Sequence, residues 1–294
     1  MKIGLIGAGR MGRPIVDRLV SGGYDPTVLT RRPEARAAAE ASGLSCADTI
    51  KETVQDAQVV FTVVFDEEQL RAAVLGTDGA IATMAAGSVL VQHTTCDPAT
   101  VTMLAEAGAQ RGISVLDAAV SGSPRDIAEG QLTLWVGGDE SSLENVRPAL
   151  STYASPVMFV GALGNGQRIK LINNALFVAQ VGLAVDAVRL AGSIGISEQQ
   201  ILAAVQQGSG GSRALSSLAW IGVSAVGNRL AEFMLKDISA ARAVADRSHA
   251  DLGLIGDVLS SDVVQMQVLC GGTPPGRSLQ SHSRSTPRSV KGDG

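Results

Sequence analysis

The chain has 294 residues, enough for one large domain or two, and 45% of them are hydrophobic while only 3% are aromatic. A core of Ala, Val, Leu and Ile is expected, which suits close helix packing and buried parallel strands. The net charge of −4, with Lys and Arg spread along most of the chain, speaks against a nucleic-acid partner, and three cysteines (Cys46, Cys96, Cys270) without a close pair suggest neither a disulfide framework nor a zinc site but a reducing, cytoplasmic setting.

Residues 2–7 (KIGLIG) read as a short buried strand, and no signal peptide is expected because this apolar run is brief and leads straight into a helix. Gly7-Ala8-Gly9-Arg10-Met11-Gly12 follows, then a helix to about Ser21 stopped by Gly22-Gly23, then a second strand, Pro26–Thr30. Between a strand and a helix, G-x-G-x-x-G is a dinucleotide-binding fingerprint. Its first glycine permits the tight turn, its second lets a pyrophosphate approach the backbone, and its third lets helix and strand pack closely, with the helix N-terminus facing the phosphates. The second strand ends in Thr30-Arg31-Arg32 rather than the acidic residue that usually holds the ribose hydroxyls of NAD. Arg31 suits a 2′-phosphate and Thr30 a hydrogen bond to it, favouring NADP over NAD. The bland alternative is that Arg31 and Arg32 are ordinary solvated charges.

Val59–Phe65 and Val89–Gln92 are further buried strand signals, separated by helical stretches around 34–42, 67–74 and 98–111. The alternation predicts a doubly wound parallel sheet of Rossmann type. Loops leaving such strands line the ligand crevice, which places Val63, Val64 and Thr95 beside a cofactor. His93 reads as a partly buried structural residue, since no carboxylate partner can be placed near it. Ser114–Asp117 is another strand; Ser121-Gly122-Ser123 after it reads equally as a carboxylate cradle of backbone N–H groups and hydroxyls or as a plain turn. Residues 128–138 read as a turn, a strand and a stop, followed by a helix (Glu140–Ser151) and a strand (Val157–Val160).

The stretch Gly161–Asn174, GALGNGQRIKLINN, is a glycine-rich turn running into a helix that stays apolar to about Leu190. Lys170 and Asn174 lie four residues apart and so share a face. A cation and an amide at the mouth of an apolar helix suggest a catalytic lysine at the hinge between a cofactor domain and a helical one. No membrane span is expected, because the apolar run Leu171–Val185 has only 15 residues and includes Asn173, Asn174 and Gln180. Gln199–Gln206, Ser212–Val226, Ala231–Arg247 and Ser248–Met266 read as helical. From Gly271 the composition has no apolar periodicity and reads as a disordered basic tail. The organisation expected is 1–163 for the nucleotide-binding domain, 164–270 for an all-α domain joined by a long interdomain helix, and 271–294 for the tail.

Four motifs together resemble the β-hydroxyacid dehydrogenases, the family of 3-hydroxyisobutyrate dehydrogenase and glyoxylate/succinic semialdehyde reductase, which has a 6-phosphogluconate dehydrogenase-type architecture. They are IGLIGAGRMGRPIVDRL, DAAVSGSPRDIAEGQLTLWVGG, GALGNGQRIKLINN and FMLKDI. The resemblance runs to about residue 255. It implies hydride transfer between NADP(H) and a small carboxylate-bearing hydroxy acid or aldehyde acid. Ser121, Gly122 and Ser123 would hold the carboxylate, Asn174 would orient the substrate, and Lys170 would be the acid/base. Thr95, Lys236 and Asp237 would approach the cofactor, the last two at its nicotinamide end. A homodimer or homotetramer is implied as well. In the substrate motif Ala119 stands where the family usually has Pro, and Ser123 where it has a second Gly. An imine reductase of the same architecture and a non-catalytic NADP-binding interaction protein are the competing readings. The lysine at 170 argues against the first, and Lys170, Asn174 and the Ser-Gly turn together argue against the second.

Overall fold

A computed structural model describes residues 1–223 and 226–264, so the tail expected at 271–294 lies outside the described residues. Eight strands form one sheet: β1 (Ile3–Ile6), β2 (Pro26–Leu29), β3 (Ser45–Ala47), β4 (Val59–Thr62), β5 (Val89–Gln92), β6 (Ser114–Ser121), β7 (Leu132–Gly137) and β8 (Ala154–Phe159). Their order is β3-β2-β1-β4-β5-β6-β7-β8. The first six run parallel, with Leu5 beside Val28 and Phe61. Parallel strands buried on both faces need continuous apolar runs, and VVFT and VLVQ supply them. Successive side chains go to opposite faces. Leu5, Phe61 and Val91 face one apolar cluster with Ile15, Val16 and Leu19 of helix α1 (Gly12–Ser21). Ile6, Val60 and Leu90 face another with Leu70 and Val74 of α4 (Glu67–Leu75) and Val101 and Leu104 of α6 (Pro98–Ala109).

The doubly wound layering is the one expected, but the sheet is not wholly parallel. β7 pairs antiparallel with β6, Ala119 opposite Trp135, and β8 pairs parallel with β7. The link from β6 to β7 holds only the five-residue helix α7 (Pro124–Ala128), too short for a parallel crossover, so the chain must turn back. β6 also extends four residues beyond its expected end at Asp117, and β8 begins three residues earlier than expected and ends one earlier. β3, α3 (Ile50–Val54) and α5 (Ala80–Thr83) carried too little periodicity to be expected from sequence, although Thr49 and Glu52 form a capping box at the start of α3.

Helix α9 (Asn165–Ser193) packs on β6 and β7 and continues beyond the sheet. By length and composition it could cross a membrane. Here its Leu171, Ala175, Val178 and Val185 enter a third cluster with Leu202 of α10 (Glu198–Gln206), Leu215 and Leu218 of α11 (Arg213–Ile221), Ile238 of α12 (Val226–Arg247) and Leu259 of α13 (Gly253–Leu259). α11 is shorter than expected because Gly222, at φ +76°, ends it, and α12 starts five residues earlier than expected.

Candidate active site

β1 delivers the chain to Gly7 at φ +107°, where an added Cβ would lie 2.3 Å from the Val63 carbonyl oxygen. A Cβ on Gly12 would come within 1.9 Å of the Gly7 carbonyl oxygen, so the third glycine is required for α1 to start against the strand. A Cβ on Gly9 would meet nothing within 4 Å. Backbone is therefore bare toward open space at the position where a pyrophosphate needs close approach. Met11 gives α1 no side-chain cap and packs against the core, while Arg10 is exposed. Gly7, Ala8 and Gly9 line a cavity of about 630 Å³ that continues to Thr30, Arg31, Arg32 and Val64. These residues fit a dinucleotide. At the far end Thr30 is buried, its hydroxyl donating to the Val28 carbonyl at 3.3 Å. Arg31 and Arg32 are exposed and have no ion pair among the described residues, whereas Arg36 nearby is tied to Glu40 and Asp48.

On the other side of the crevice, the loops after β4 and β5 are tied by a residue not expected from sequence. The Val64 N–H donates to the Thr94 hydroxyl at 3.0 Å, and that hydroxyl donates to the Val64 carbonyl at 3.2 Å. Thr94 is buried, and the half-buried Thr95 follows it. His93 is fully buried. Its Nδ1 lies 2.6 Å from the Ala118 carbonyl and its Nε2 2.9 Å from the Tyr153 hydroxyl. A carbonyl only accepts, so Nδ1 carries the proton and Nε2 accepts from Tyr153. Burial pushes this imidazole down to about 4, which leaves it neutral and structural.

The start of α9 is anchored from two sides. Asp117 of β6, wholly buried, accepts the Gly164 N–H at 2.7 Å and the Gln167 N–H at 2.9 Å, taking up first-turn donors of the helix. Burial pushes this carboxyl up to about 6, against the pull of those N–H groups. The side chain of Gln167, also wholly buried, reaches the loop after β5: Oε1 accepts the Cys96 N–H at 3.1 Å and Nε2 donates to the Thr94 carbonyl at 3.1 Å. Sequence reading passed over both residues. A glutamine and an aspartate in apolar surroundings were the available signal, since buried polar groups need partners.

One turn further, Lys170 is half-buried, and its ammonium is held below the ordinary lysine range by burial, with the Asp237 carboxylate pulling the other way. Asn174 sits beside the same carboxylate, its Nδ2 donating to Asp237 Oδ2 at 2.5 Å while its Oδ1 accepts from Asn173 Nδ2 at 3.0 Å. Lys170, Asn174 and Asp237 are thus brought together, with Asp237 reaching in from α12. Lys236 precedes it in that helix, and the Lys236 side chain lies outside the described residues.

At the end of β6, Ser121 is half-buried and paired with Thr133, and Gly122 turns the chain at φ +141°. Ser123 is committed elsewhere: its hydroxyl and its N–H each donate to Asp126 at 2.6 Å, a capping box that starts α7.

Residues 2–161 match the family described as the NAD binding domain of 6-phosphogluconate dehydrogenase, and residues 164–261 that described as the NAD-binding part of NADP-dependent 3-hydroxyisobutyrate dehydrogenase. An uncharacterized oxidoreductase of Shewanella frigidimarina is 31% identical, the match covering 90% of this chain and 93% of that protein. The NAD-dependent L-serine dehydrogenase of Pseudomonas aeruginosa is 31% identical over 84% of this chain and 86% of its own. Among solved structures, a 3-hydroxyisobutyrate dehydrogenase of Mycobacterium tuberculosis with L-serine superposes with a TM-score of 0.77 at 27% identity, covering 87% of this chain and 90% of that one. The glycine loop, the crevice and these matches together show that the chain belongs to the β-hydroxyacid dehydrogenase family, as an oxidoreductase that uses a nicotinamide cofactor and acts on CH–OH groups.

Proposed function

We propose that the protein transfers a hydride between NADP(H) and a small hydroxy acid or aldehyde acid, with Lys170 as proton donor and acceptor. The observation that carries the reading is the setting of Lys170: a half-buried lysine beside Asp237 and Asn174 on the helix that Gln167 ties to the loop after β5. The nicotinamide, when bound, supplies or accepts the hydride. In reduction, Lys170 Nζ gives its proton to the carbonyl oxygen as the carbon becomes a secondary or primary alcohol; in oxidation, neutral Nζ takes the hydroxyl proton. Asn174 spends one amide hydrogen on Asp237 and keeps the other for a substrate oxygen. Ser121 and Gly122 hold the carboxylate, and Ser123, already bonded to Asp126, shapes the turn instead. Arg31 and Arg32, exposed and without an ion pair among the described residues, favour NADP. The Pseudomonas relative is named for L-serine, itself a 3-hydroxy carboxylate, which supports that substrate class.

A panel of L-serine, 3-hydroxyisobutyrate, glyoxylate and succinic semialdehyde, run with both NADP(H) and NAD(H), tests the reading. Turnover with at least one of them and a lower KM for the phosphorylated cofactor are expected. Lys170→Ala should keep NADPH binding within about threefold and lower kcat by roughly 10²–10⁴, the usual contribution of a positioned acid/base. Near-normal turnover in that variant, activity confined to cyclic imines, or tight NADPH binding without turnover would each overturn the proposal.

A further inference from the structure

Gln167 is the residue through which β6 and the loop after β5 both reach the helix that carries Lys170. Its backbone N–H is held by Asp117 from β6 at 2.9 Å, and its side chain holds Cys96 N–H and the Thr94 carbonyl, each at 3.1 Å. Its Nε2 also approaches Gln92 Oε1 at 3.4 Å, and Gln92 Nε2 donates to the same Thr94 carbonyl at 2.6 Å. Thr94 in turn bonds both the N–H and the carbonyl of Val64. The links among Gln92, Thr94 and Gln167 are buried, with Thr94 4% exposed and Gln92 and Gln167 at 0%, and only the end at Val64 is part-buried. The path begins on Val64, which lines the nucleotide cavity, and ends three residues before Lys170. Gly166 beside it leaves no slack: a Cβ there would lie 2.5 Å from the Trp135 carbonyl oxygen and 2.7 Å from that of Asp117.

We propose that Gln167 is a positioning residue that fixes Lys170 relative to the cofactor crevice and couples the loops after β4 and β5 to the first turn of α9. The inference rests on Lys170 being the acid/base. A glutamine is the residue type required, because the site asks for one acceptor, toward the Cys96 N–H, and one donor, toward the Thr94 carbonyl. A methionine of similar length satisfies neither. A glutamate satisfies the first when ionised and both when protonated, and burial together with the Asp117 carboxyl at the Gln167 backbone N–H pushes such a carboxyl up.

Two variants and one measurement on the unaltered protein test this. Gln167→Met should lower kcat about tenfold or more at every pH, with the Kd for NADPH, read by fluorescence titration, changed less than threefold. Gln167→Glu should match Gln167→Met at alkaline pH and recover toward the unaltered enzyme as pH falls and its carboxyl regains the donor. A residue needed only for folding would give neither the acid recovery nor the split between kcat and cofactor affinity. In the unaltered protein, saturating NADPH should slow amide hydrogen exchange at residues 164–170 at least several-fold. That arm needs cofactor binding but no turnover, so it stands even where the proposed substrate class is wrong. Normal kcat in Gln167→Met, a flat pH response in Gln167→Glu, or exchange at 164–170 indifferent to NADPH would each overturn the proposal, and the exchange arm decides it should the variants not fold.

Discussion

At the scale of single residues the proposed chemistry turns on how the Lys170 charge is balanced. Burial lowers its proton affinity and the Asp237 carboxylate restores part of it. Asp237→Asn removes the charge but keeps an acceptor for the Asn174 amide, so the geometry survives while the balance shifts. Lys170 should then lose its proton at lower pH. In the proposed mechanism reduction needs the protonated form, so its kcat/KM should begin to fall at a lower pH than in the unaltered enzyme, and kcat at neutral pH should drop by about tenfold, less than the roughly 10²–10⁴ expected for loss of the acid itself. A pH–rate profile checks this; an alkaline limb that stays in place or moves upward would count against the role of Asp237. The i, i+4 spacing made Lys170 and Asn174 legible as a pair. Their joint dependence on Asp237 was not legible, because its carboxylate arrives from a helix some sixty residues away. Ser123 carries a second signal: Ser-x-x-Asp is a capping box readable from sequence, and its hydroxyl and N–H both donate to Asp126.

At the scale of the element, α9 does three jobs at once: it anchors on the sheet, carries Lys170 and Asn174, and centres the third apolar cluster. Its N-terminus passes so close to β6 and β7 that only glycine fits at 166. Gly166→Ala should destabilise the protein by about 1–3 kcal/mol, the usual cost of overpacking where the opposing atoms are backbone and cannot turn away. Urea unfolding followed by circular dichroism would measure it, and an unchanged midpoint would show that the contact relaxes freely. The sequence pattern announced this helix and its glycine-rich entry. It did not announce the reversal of β7, because strand direction is decided by whether the connection is long enough to cross the sheet, and α7 was too short to be recognised.

At the scale of the molecule, the sheet and the helical region meet along α9 and again where Arg247, near the end of α12, pairs with Asp97 in the loop after β5. Asp97 also caps α6 and gives its own N–H to Glu67. The outer face of α9 remains apolar: Ile172, Leu176, Leu183 and Leu190 fall on one stripe, 43–64% exposed, and Ile194 just beyond the helix continues it. A row of large exposed side chains on one face differs from the scattered ones any surface carries. We propose that a second copy of the chain covers it. Leu183→Glu should convert a dimer at micromolar concentration into monomer, as read by light scattering, with the fold retained in circular dichroism; a monomeric unaltered protein would refute the proposal.

What the sequence determined by itself is what local pattern encodes. Buried strands announce themselves by continuous apolar runs, the nucleotide loop by glycines in fixed positions between strand and helix, and the lysine and amide by helical spacing. Each of these depends on neighbours within a few residues. The tertiary structure alone decided which distant polar groups come into contact. Asp237 beside Lys170, Asp117 beneath the start of α9, and Gln167 bonded across to Thr94 and Cys96 are contacts between residues some 50 to 70 positions apart. The Asp117 and Gln167 contacts exist because burial leaves these polar groups no water to bond, so that folding had to bring each of them a partner.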